Sequence, residues 1–187
     1  LPQIANSNFK VNENHKCTAK LPDTYLAELK NATVLSGTDL VIVQDTALYD
    51  EIDKEKIGIY SIKSKIIDKI SLNNVTLKIP RGKYINIQQG IHFTKDHSVN
   101  YYHWLIECLP RLSLIEHLEQ NIPLLIDANI PHQSLEALKL INNNRRKLIT
   151  LCDNTYYKVK QLYYPSQLSI LHDNYNNPDY SKDVVYS

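Results

Sequence analysis

The second half of the chain alternates between helical and strand periodicity, and this alternation restricts the fold more than any other feature. The predicted elements are a long helix, an apolar strand, a short amphipathic helix and two further strands, at residues 100–119, 122–127, 132–141, 147–151 and 159–164. Strands that alternate with helices are typical of βαβ units, in which parallel strands form one sheet and the helices pack on it. This half of the chain therefore predicts a Rossmann-like lobe.

The first half of the chain lacks this alternation. Residues 1–23 are polar, rich in Asn and Lys and without periodicity, which predicts an extended or disordered arm. Short β-prone runs follow and predict an antiparallel meander and further strands, at residues 25–29, 32–35, 40–43, 47–49, 75–79 and 84–93. Residues 50–69 predict a connecting arm with some helical character, and residues 80–83 a turn. The predicted fold class is α/β, with a β-rich N-terminal meander that leads into the Rossmann-like lobe.

Composition argues against several classes of function. The net charge of +1 and the pI near 7.8 give no general attraction to nucleic acid or to an anionic membrane. The three cysteines, Cys17, Cys108 and Cys152, are far apart and show no CxxC spacing, so we expect neither a disulfide framework nor a zinc site. The sequence has no apolar signal segment and no run of about 20 apolar residues. We therefore expect a cytoplasmic protein without a membrane span.

Four polar side chains lie inside the otherwise apolar start of the predicted long helix: Asn100, His103, Glu107 and Arg111. Their spacings of three, four and four residues place them on one face of a helix, one above the other. An amide, an imidazole, a carboxylate and a guanidinium in one row favour a functional site. The alternative is a solvated ladder of salt bridges, which is common on ordinary helices, and spacing alone does not decide between the two.

His103 has the properties of a general base if the helix begins at Ser98 or Asn100, the two candidate N-caps. In the first turn, the positive end of the helix dipole favours the neutral imidazole ring. Glu107, one turn later, can accept a hydrogen bond from one ring nitrogen and leave the other nitrogen to take a proton. Arg111 would then bind an anion or balance the charge of Glu107.

The remaining positions of this helix predict a core stripe and a break. The stripe follows alternating steps of four and three residues and comprises Tyr101, Leu105, Cys108, Leu112 and Ile115, widened by Trp104 and Leu109. Pro110 cannot donate a hydrogen bond to the carbonyl of Ile106 and crowds that turn, so we expect a kink or a break there.

Residues 100–112 read Asn-Tyr-Tyr-His-Trp-Leu-Ile-Glu-Cys-Leu-Pro-Arg-Leu. This stretch resembles the hallmark motif of glycosyltransferase family 61, which has an Asn, two aromatic residues, His-Trp-Leu, an acid and then Leu-Pro-Arg-Leu. Residues 25–37 are similar to early strands of that family, and Pro165-Ser166 followed by Asn174 is similar to its segment before the donor lobe. The resemblance thus extends from about residue 24 to the end of the chain.

The resemblance implies a GT-B fold, in which two Rossmann-like lobes face each other across a cleft, and inverting transfer from a nucleotide sugar without an obligatory metal or other cofactor. It implies that residues 24–187 form the N-terminal, acceptor-side lobe of an enzyme for bacterial surface polysaccharide such as capsule. The implied partners are a carbohydrate acceptor and the nucleotide-sugar donor. The implied catalytic residues are His103 and Glu107, and the implied acceptor-binding or supporting residues are Asn100, Arg111, His97 and Tyr102.

The donor half of the family pattern is not found in this chain. Its four glycines, Gly37, Gly58, Gly82 and Gly90, form no phosphate-cradling loop. We therefore expect the C-terminal donor-binding lobe to lie outside this chain, and we expect these 187 residues alone not to catalyse transfer. The alternative function is a non-catalytic carbohydrate- or protein-binding scaffold that keeps the fold.

Two further groups of charged or titratable residues lie near the motif or after it. His92 and His97 flank the entry to the predicted helix, and with His103 their spacings match no closed zinc pattern, so we expect no metal site. The basic cluster at residues 145–147 is typical of a solvated turn; the alternative is contact with an anionic acceptor or with the surface of the inner membrane.

Overall fold

A computed structural model describes residues 23–48, 67–71, 74–77, 84–95, 98–153 and 155–168. The predicted arm at residues 1–23 lies outside this part of the chain except for its last residue, and so do the predicted turn at 80–83 and most of the connecting arm at 50–69. The described end of that arm, residues 67–69, belongs to the strand Ile67–Ser71 and not to a helix.

A mixed sheet of seven strands forms the body of the described fold. Its strands are β1 (Leu26–Leu35), β2 (Val41–Val43), β3 (Thr46–Leu48), β6 (Tyr84–His92), β7 (Leu124–Asp127), β8 (Leu148–Leu151) and β9 (Tyr156–Pro165). They are arranged in the order β3-β2-β1-β9-β6-β7-β8. Strands β4 (Ile67–Ser71) and β5 (Asn74–Leu77) pair separately as an antiparallel hairpin. The α/β class expected from the sequence is confirmed.

The antiparallel part of the sheet is the predicted meander of β1, β2 and β3. The predicted runs at 25–29 and 32–35 are one continuous strand, which passes through Asn31 with φ 54°. This strand pairs antiparallel with β9 over nearly its whole length, from Leu26 opposite Pro165 to Leu35 opposite Tyr156. The meander is therefore not a separate region that precedes the lobe, because β9 joins it to the parallel strands in the same sheet.

The parallel part of the sheet comprises β9, β6, β7 and β8. The chain runs outward from β6 to β7 and β8, and then returns to place β9 on the other side of β6. The order of the strands therefore reverses between β6 and β9. In open α/β sheets, ligands bind outside the carboxyl ends of the strands at such a switch point.

The segment between β6 and β7 is helical but irregular. A short α-helix, α1 (Tyr101–His103), continues as a π-helical turn (Trp104–Cys108) and a 3-10 helix (Leu109–Ile115), and together they form the central helical segment. The backbone N–H of Leu109 donates to the carbonyl of Trp104, five residues earlier, directly before Pro110. The break expected at this proline is therefore present, and the single helix predicted for residues 100–119 is wrong in its regularity and its end.

The second helix, α2 (His132–Asn142), matches its predicted position. Side chains of α2 and of the central helical segment share one core cluster with Leu124 and Ile126 of β7. Because side chains alternate along a strand, both helical segments pack on the same face of β7. Leu125 points to the other face, where its cluster includes Val34 of β1 and Leu162 of β9. No helix among the described residues covers that face, so the sheet is not doubly wound in this part of the chain.

The core stripe predicted for the central helical segment is only partly correct. Cys108 and Ile115 are buried, as expected, but Tyr101 and Leu105 are 48% and 38% exposed. Trp104 and Leu109, which were predicted to widen the stripe, are buried, and the ring of Trp104 lies edge-on to Phe93. No helix in the described part of the chain is long and apolar enough to cross a membrane.

Candidate functional site

The polar residues of interest lie at the carboxyl ends of β6, β7 and β9. The backbone N–H of Lys95, three residues past the end of β6, donates to Asp127 Oδ2 at the end of β7 at 3.1 Å. Arg111 joins the end of β6 to that of β9 through the carbonyls of His92 and Pro165. The central helical segment contributes His103 and Glu107 next to these strand ends. This is the edge and the switch point at which an α/β sheet binds ligands.

His103 and Glu107 form a short hydrogen bond, 2.6 Å from His103 Nδ1 to Glu107 Oε1. The side chain of His103 is 25% exposed and that of Glu107 is 7% exposed. The carboxylate is therefore enclosed, whereas the ring still reaches the surface. With Nδ1–H donated to Glu107, the lone pair of the neutral ring lies on Nε2, which is the nitrogen that would accept a proton.

Lys95 binds the other oxygen of Glu107. Its ammonium Nζ lies 3.1 Å from Glu107 Oε2, and its side chain is 2% exposed. A carboxylate and an ammonium that are both buried are tolerated only as a pair, because each charge alone would lose its hydration without compensation. Glu107 is thus held between a cation on one oxygen and an imidazole on the other.

Asp127 fixes the backbone from which Lys95 projects. Its Oδ1 accepts the N–H of Gly37 at 2.6 Å and the hydroxyl of Ser36 at 3.4 Å, while Oδ2 accepts the N–H of Lys95. Burial raises the pKa of Asp127 to about 6, although these hydrogen bonds favour the charged form. The carboxyl group therefore ties the β1–β2 loop and the end of β6 to β7.

Arg111 is buried and does not bind Glu107. Its Nε and Nη2 donate to the carbonyl of Pro165 at 3.2 and 2.9 Å, and Nη2 also donates to the carbonyl of His92 at 3.2 Å. The guanidinium lies over the ring of Phe93, 5.6 Å from its centroid. The expectation that Arg111 balances Glu107 is wrong, since Lys95 does so, and the described contacts give the guanidinium a role in holding β6 and β9 together.

His92 has a defined tautomer in this cluster. The hydroxyl of Thr94 donates to the carbonyl of Thr38 at 2.7 Å, so it can only accept from His92 Nε2, 2.9 Å away. The Nε2–H tautomer follows, with Nδ1 facing Arg111. Burial lowers the pKa of His92 well below 6.5, and the charges of Arg111 and Lys95 lower it further. His92 is therefore a neutral link between the end of β6 and the β1–β2 loop.

The other predicted site residues have different positions. Asn100 is the N-cap of α1: its Oδ1 accepts the N–H of Tyr102 at 3.0 Å, as the sequence predicted for one of its two candidates. Tyr102 is 55% exposed, and its ring meets that of His103 edge-on at 5.7 Å. His97 lies outside the described residues. The interpretation of the polar row as a solvated ladder does not fit, because Glu107 and Arg111 are only 5% and 2% exposed.

Lys95 and Asp127 are site residues that the sequence patterns did not predict. Lys95 follows the end of β6 and Asp127 ends β7, so helical spacing carries no information about either residue. A partial signal was present, because Lys95 follows the strand predicted at 84–93 and Asp127 ends the strand predicted at 122–127. Only the second of these strands was predicted to be parallel, so the sequence did not indicate that their carboxyl ends meet at one edge. Cys108 also belongs to the motif. Burial raises the pKa of its thiol to about 12, so the thiol is neutral at physiological pH.

Exposed apolar side chains lie before and after His103 in the sequence, on the central helical segment and in the turn before it. They form what we call the apolar patch, which comprises Val99, Tyr101, Tyr102, Leu105 and Ile106. Each is at least 36% exposed. Clusters of this kind on a protein surface are typical of interaction sites.

The basic cluster at residues 145–147 is only partly the solvated turn that was predicted. Arg145 and Lys147 are exposed, but Arg146 is 7% exposed. Its guanidinium donates to the carbonyls of Ile115, Leu118, Glu119 and Ile122. Arg146 therefore satisfies the backbone after the 3-10 helix.

Among the described residues, no group of three or more His, Cys, Asp or Glu side chains could hold a metal ion. No protein-family model, curated protein or solved structure matches the chain.

Proposed function

We propose that this chain is the acceptor-side lobe of an inverting, nucleotide-sugar-dependent glycosyltransferase, with His103 and Glu107 as its catalytic pair. The observation that carries the proposal is the 2.6 Å hydrogen bond between a partly exposed imidazole and a buried carboxylate. This is the arrangement of a general base and the group that orients it. The resemblance of residues 100–112 to glycosyltransferase family 61 gives the pair its reaction.

The proposed reaction uses the pair in one proton transfer. Glu107 accepts Nδ1–H and stabilises the imidazolium that forms, while Nε2 of His103 takes the proton from a hydroxyl of the carbohydrate acceptor. The acceptor oxygen attacks the anomeric carbon from the face opposite the leaving group, and the bond to the nucleoside diphosphate breaks with its electron pair. The sugar is transferred with inversion.

The strand order supports a Rossmann-like assignment of the parallel part, although the helices lie on one face of β7. His103 and Glu107 lie next to the switch point between β6 and β9, where such sheets bind ligands, and this supports the role proposed for them. The proposal includes the GT-B arrangement implied by the resemblance, in which a second lobe binds the donor. It also includes an acceptor that belongs to bacterial surface polysaccharide, and a cytoplasmic location at the periphery of the inner membrane.

A non-catalytic carbohydrate- or protein-binding domain is the second candidate. The apolar patch around His103 favours it, because exposed tyrosine rings can stack on sugar faces or pack against a protein. The two candidates differ in what His103 does. A binding domain would lose affinity when Tyr101 or Tyr102 is replaced, and it would show no turnover that depends on His103 or Glu107.

The test is a transfer assay with the full-length product of the gene that encodes this chain. Release of nucleoside diphosphate is measured across a panel of nucleotide sugars, with glycan products identified by mass spectrometry. We expect His103→Ala and Glu107→Gln each to lower kcat by about 10²- to 10⁴-fold, the usual contribution of general base catalysis. His117 and Glu119 are exposed, so His117→Ala and Glu119→Gln are matched controls that should keep wild-type turnover.

Two results would count against the proposal. Near-normal turnover in both His103→Ala and Glu107→Gln would remove the pair from catalysis. Folded full-length protein that binds glycan but transfers no sugar from any donor in the panel would favour the binding domain.

A further inference from the structure

The contacts of Glu107 extend beyond His103 into a connected chain of polar groups. Glu107 binds His103 at 2.6 Å with one oxygen and Lys95 Nζ at 3.1 Å with the other. The backbone N–H of Lys95 donates to Asp127 at 3.1 Å, and Asp127 also accepts the backbone N–H of Gly37 at 2.6 Å. These contacts join the β1–β2 loop, the end of β7, the end of β6 and the central helical segment. The position of the catalytic pair therefore depends on residues outside the helical motif.

We propose that Lys95 is the positioning residue of the His103–Glu107 pair, and that Asp127 sets the position of Lys95. The catalytic part of this proposal rests on the proposed function. The contacts between the four residues do not depend on it.

The carboxylate of Glu107 needs a fixed orientation to act on His103. Its Oε2 lies at hydrogen-bonding distance from the ammonium of Lys95, and its Oε1 from the imidazole of His103. The ammonium therefore holds the carboxylate so that Oε1 faces the imidazole. A flexible lysine can do this only if its own backbone is fixed, and the hydrogen bond from Lys95 N–H to Asp127 provides that constraint.

Lys95 also sets how strongly Glu107 favours the imidazolium. An uncompensated buried carboxylate next to His103 would stabilise the protonated ring and oppose the return of its proton to solvent. With the ammonium 3.1 Å from Oε2, much of that charge is balanced before His103 takes a proton. Glu107 therefore meets His103 as part of an ion pair and not as an isolated buried charge.

The experiment follows the histidine ring nitrogens by NMR in the 187-residue chain, because this readout requires no sugar transfer. The His103 signals are assigned by their loss in His103→Gln. We expect the Nδ1–H tautomer in the wild type. In Lys95→Met, we expect the Nδ1–H signal of His103 to shift and the Nε2–H tautomer to appear, because Glu107 is no longer held with Oε1 facing the ring. Lys95→Arg keeps the charge and should stay close to the wild type.

The matched control is Lys139→Met, since Lys139 is exposed on α2. An unchanged tautomer and an unchanged Nδ1–H signal of His103 in folded Lys95→Met would overturn the proposal, and so would an equal change in the control. If Lys95→Met does not fold, the double variant Lys95→Met/Glu107→Gln decides. Recovery of folding in the double variant supports the proposal, because both buried charges are then gone; failure of both variants shows that Lys95 acts through other contacts and overturns it.

The transfer assay separates this proposal from the proposed function. In active full-length protein, Lys95→Met should lower kcat about tenfold or more and leave KM for the donor within about twofold, as expected for a residue that acts through the base. If the NMR shifts occur but the wild-type enzyme transfers no sugar, Lys95 positions the pair and the proposed function fails. If the wild type transfers sugar and Lys95→Met is unaffected in both readouts, the positioning role fails alone.

Discussion

Asp127 is a buried carboxyl group whose folded-state pKa, about 6, lies above the value of about 3.9 expected in the unfolded chain. Between these two values the folded state binds more protons than the unfolded state. The contribution of Asp127 to stability is therefore fully present below about pH 4 and is lost as the pH rises through 6. His92 has the opposite sign, because its lowered pKa costs stability as the pH falls below 6.5.

Asp127→Asn should remove this pH dependence. We expect the difference in the free energy of unfolding, wild type minus variant, to fall by about 2 kcal/mol between about pH 4.5 and pH 7.5. Comparing the two proteins at each pH cancels the contribution of His92. The measurement is guanidinium denaturation across this range, with Asp45→Asn at an exposed turn as the control. A constant difference at all pH values would show that Asp127 is ionised alike in both states.

At the scale of single residues, the sequence predicted those contacts that occur within one helical turn. The His103–Glu107 pair follows from a spacing of four residues, and the Asn100 cap from the residue types that prefer this position. For Arg111, the sequence offered an anion or Glu107 as partner, but its described hydrogen bonds are to carbonyls at the ends of β6 and β9. Spacing shows which side chains share a helix face and does not show what that face meets.

At the scale of elements, the central helical segment differs from its prediction because of Pro110. A regular helix would carry Tyr101, Leu105 and Cys108 on one buried stripe. The π-helical turn before the proline adds a residue to the turn and rotates the faces, so that Leu105 becomes 38% exposed. Periodicity predicted that a helix starts here and that proline breaks it. It could not predict how the backbone compensates for the missing hydrogen bond.

Leu105 and Leu109 test this rotated register, since they are the same residue type, four positions apart. Leu109 is 7% exposed and belongs to the core cluster, whereas Leu105 lies in the apolar patch. We expect Leu109→Ala to lower the free energy of unfolding by about 2–4 kcal/mol and Leu105→Ala by less than about 1 kcal/mol. Urea denaturation of both variants measures the difference. Equal losses would indicate a regular helix with both leucines facing the core.

At the scale of the whole molecule, the α/β alternation of the second half correctly predicted parallel strands, and the short β-prone runs of the first half correctly predicted the antiparallel meander. Neither pattern predicted that both belong to one sheet. The central position of β9 depends on pairing with β1 and β6, which are both distant from it in the sequence. The side chains of β9 alternate between the two faces of the sheet whichever strands lie beside it. The local sequence pattern therefore does not determine the strand order. The site depends on that order. Because β6 and β9 are adjacent, Arg111 can donate to the carbonyls at the ends of both strands.

The packing of β7 against β6 requires a glycine at position 90, and this requirement can be measured. A Cβ at Gly90 would lie 2.7 Å from Leu125 Cδ1 and 2.8 Å from its Cγ, closer than van der Waals contact allows. Leu125 is fully buried and cannot move into solvent. We expect Gly90→Ala to lower the free energy of unfolding by about 1–3 kcal/mol through overpacking.

The double variant Gly90→Ala/Leu125→Ala separates overpacking from the intrinsic effect of alanine in a strand. Leu125→Ala alone should cost about 2–5 kcal/mol, because it leaves a cavity in the core. In the double variant the new methyl group enters the space that the leucine vacates, so its cost should fall short of the sum of the single variants by about 1 kcal/mol or more. Denaturation of all four proteins completes the cycle. Additive costs would mean that Gly90 and Leu125 do not touch, and that β6 and β7 pack in a different register from the one that brings Lys95 to Asp127.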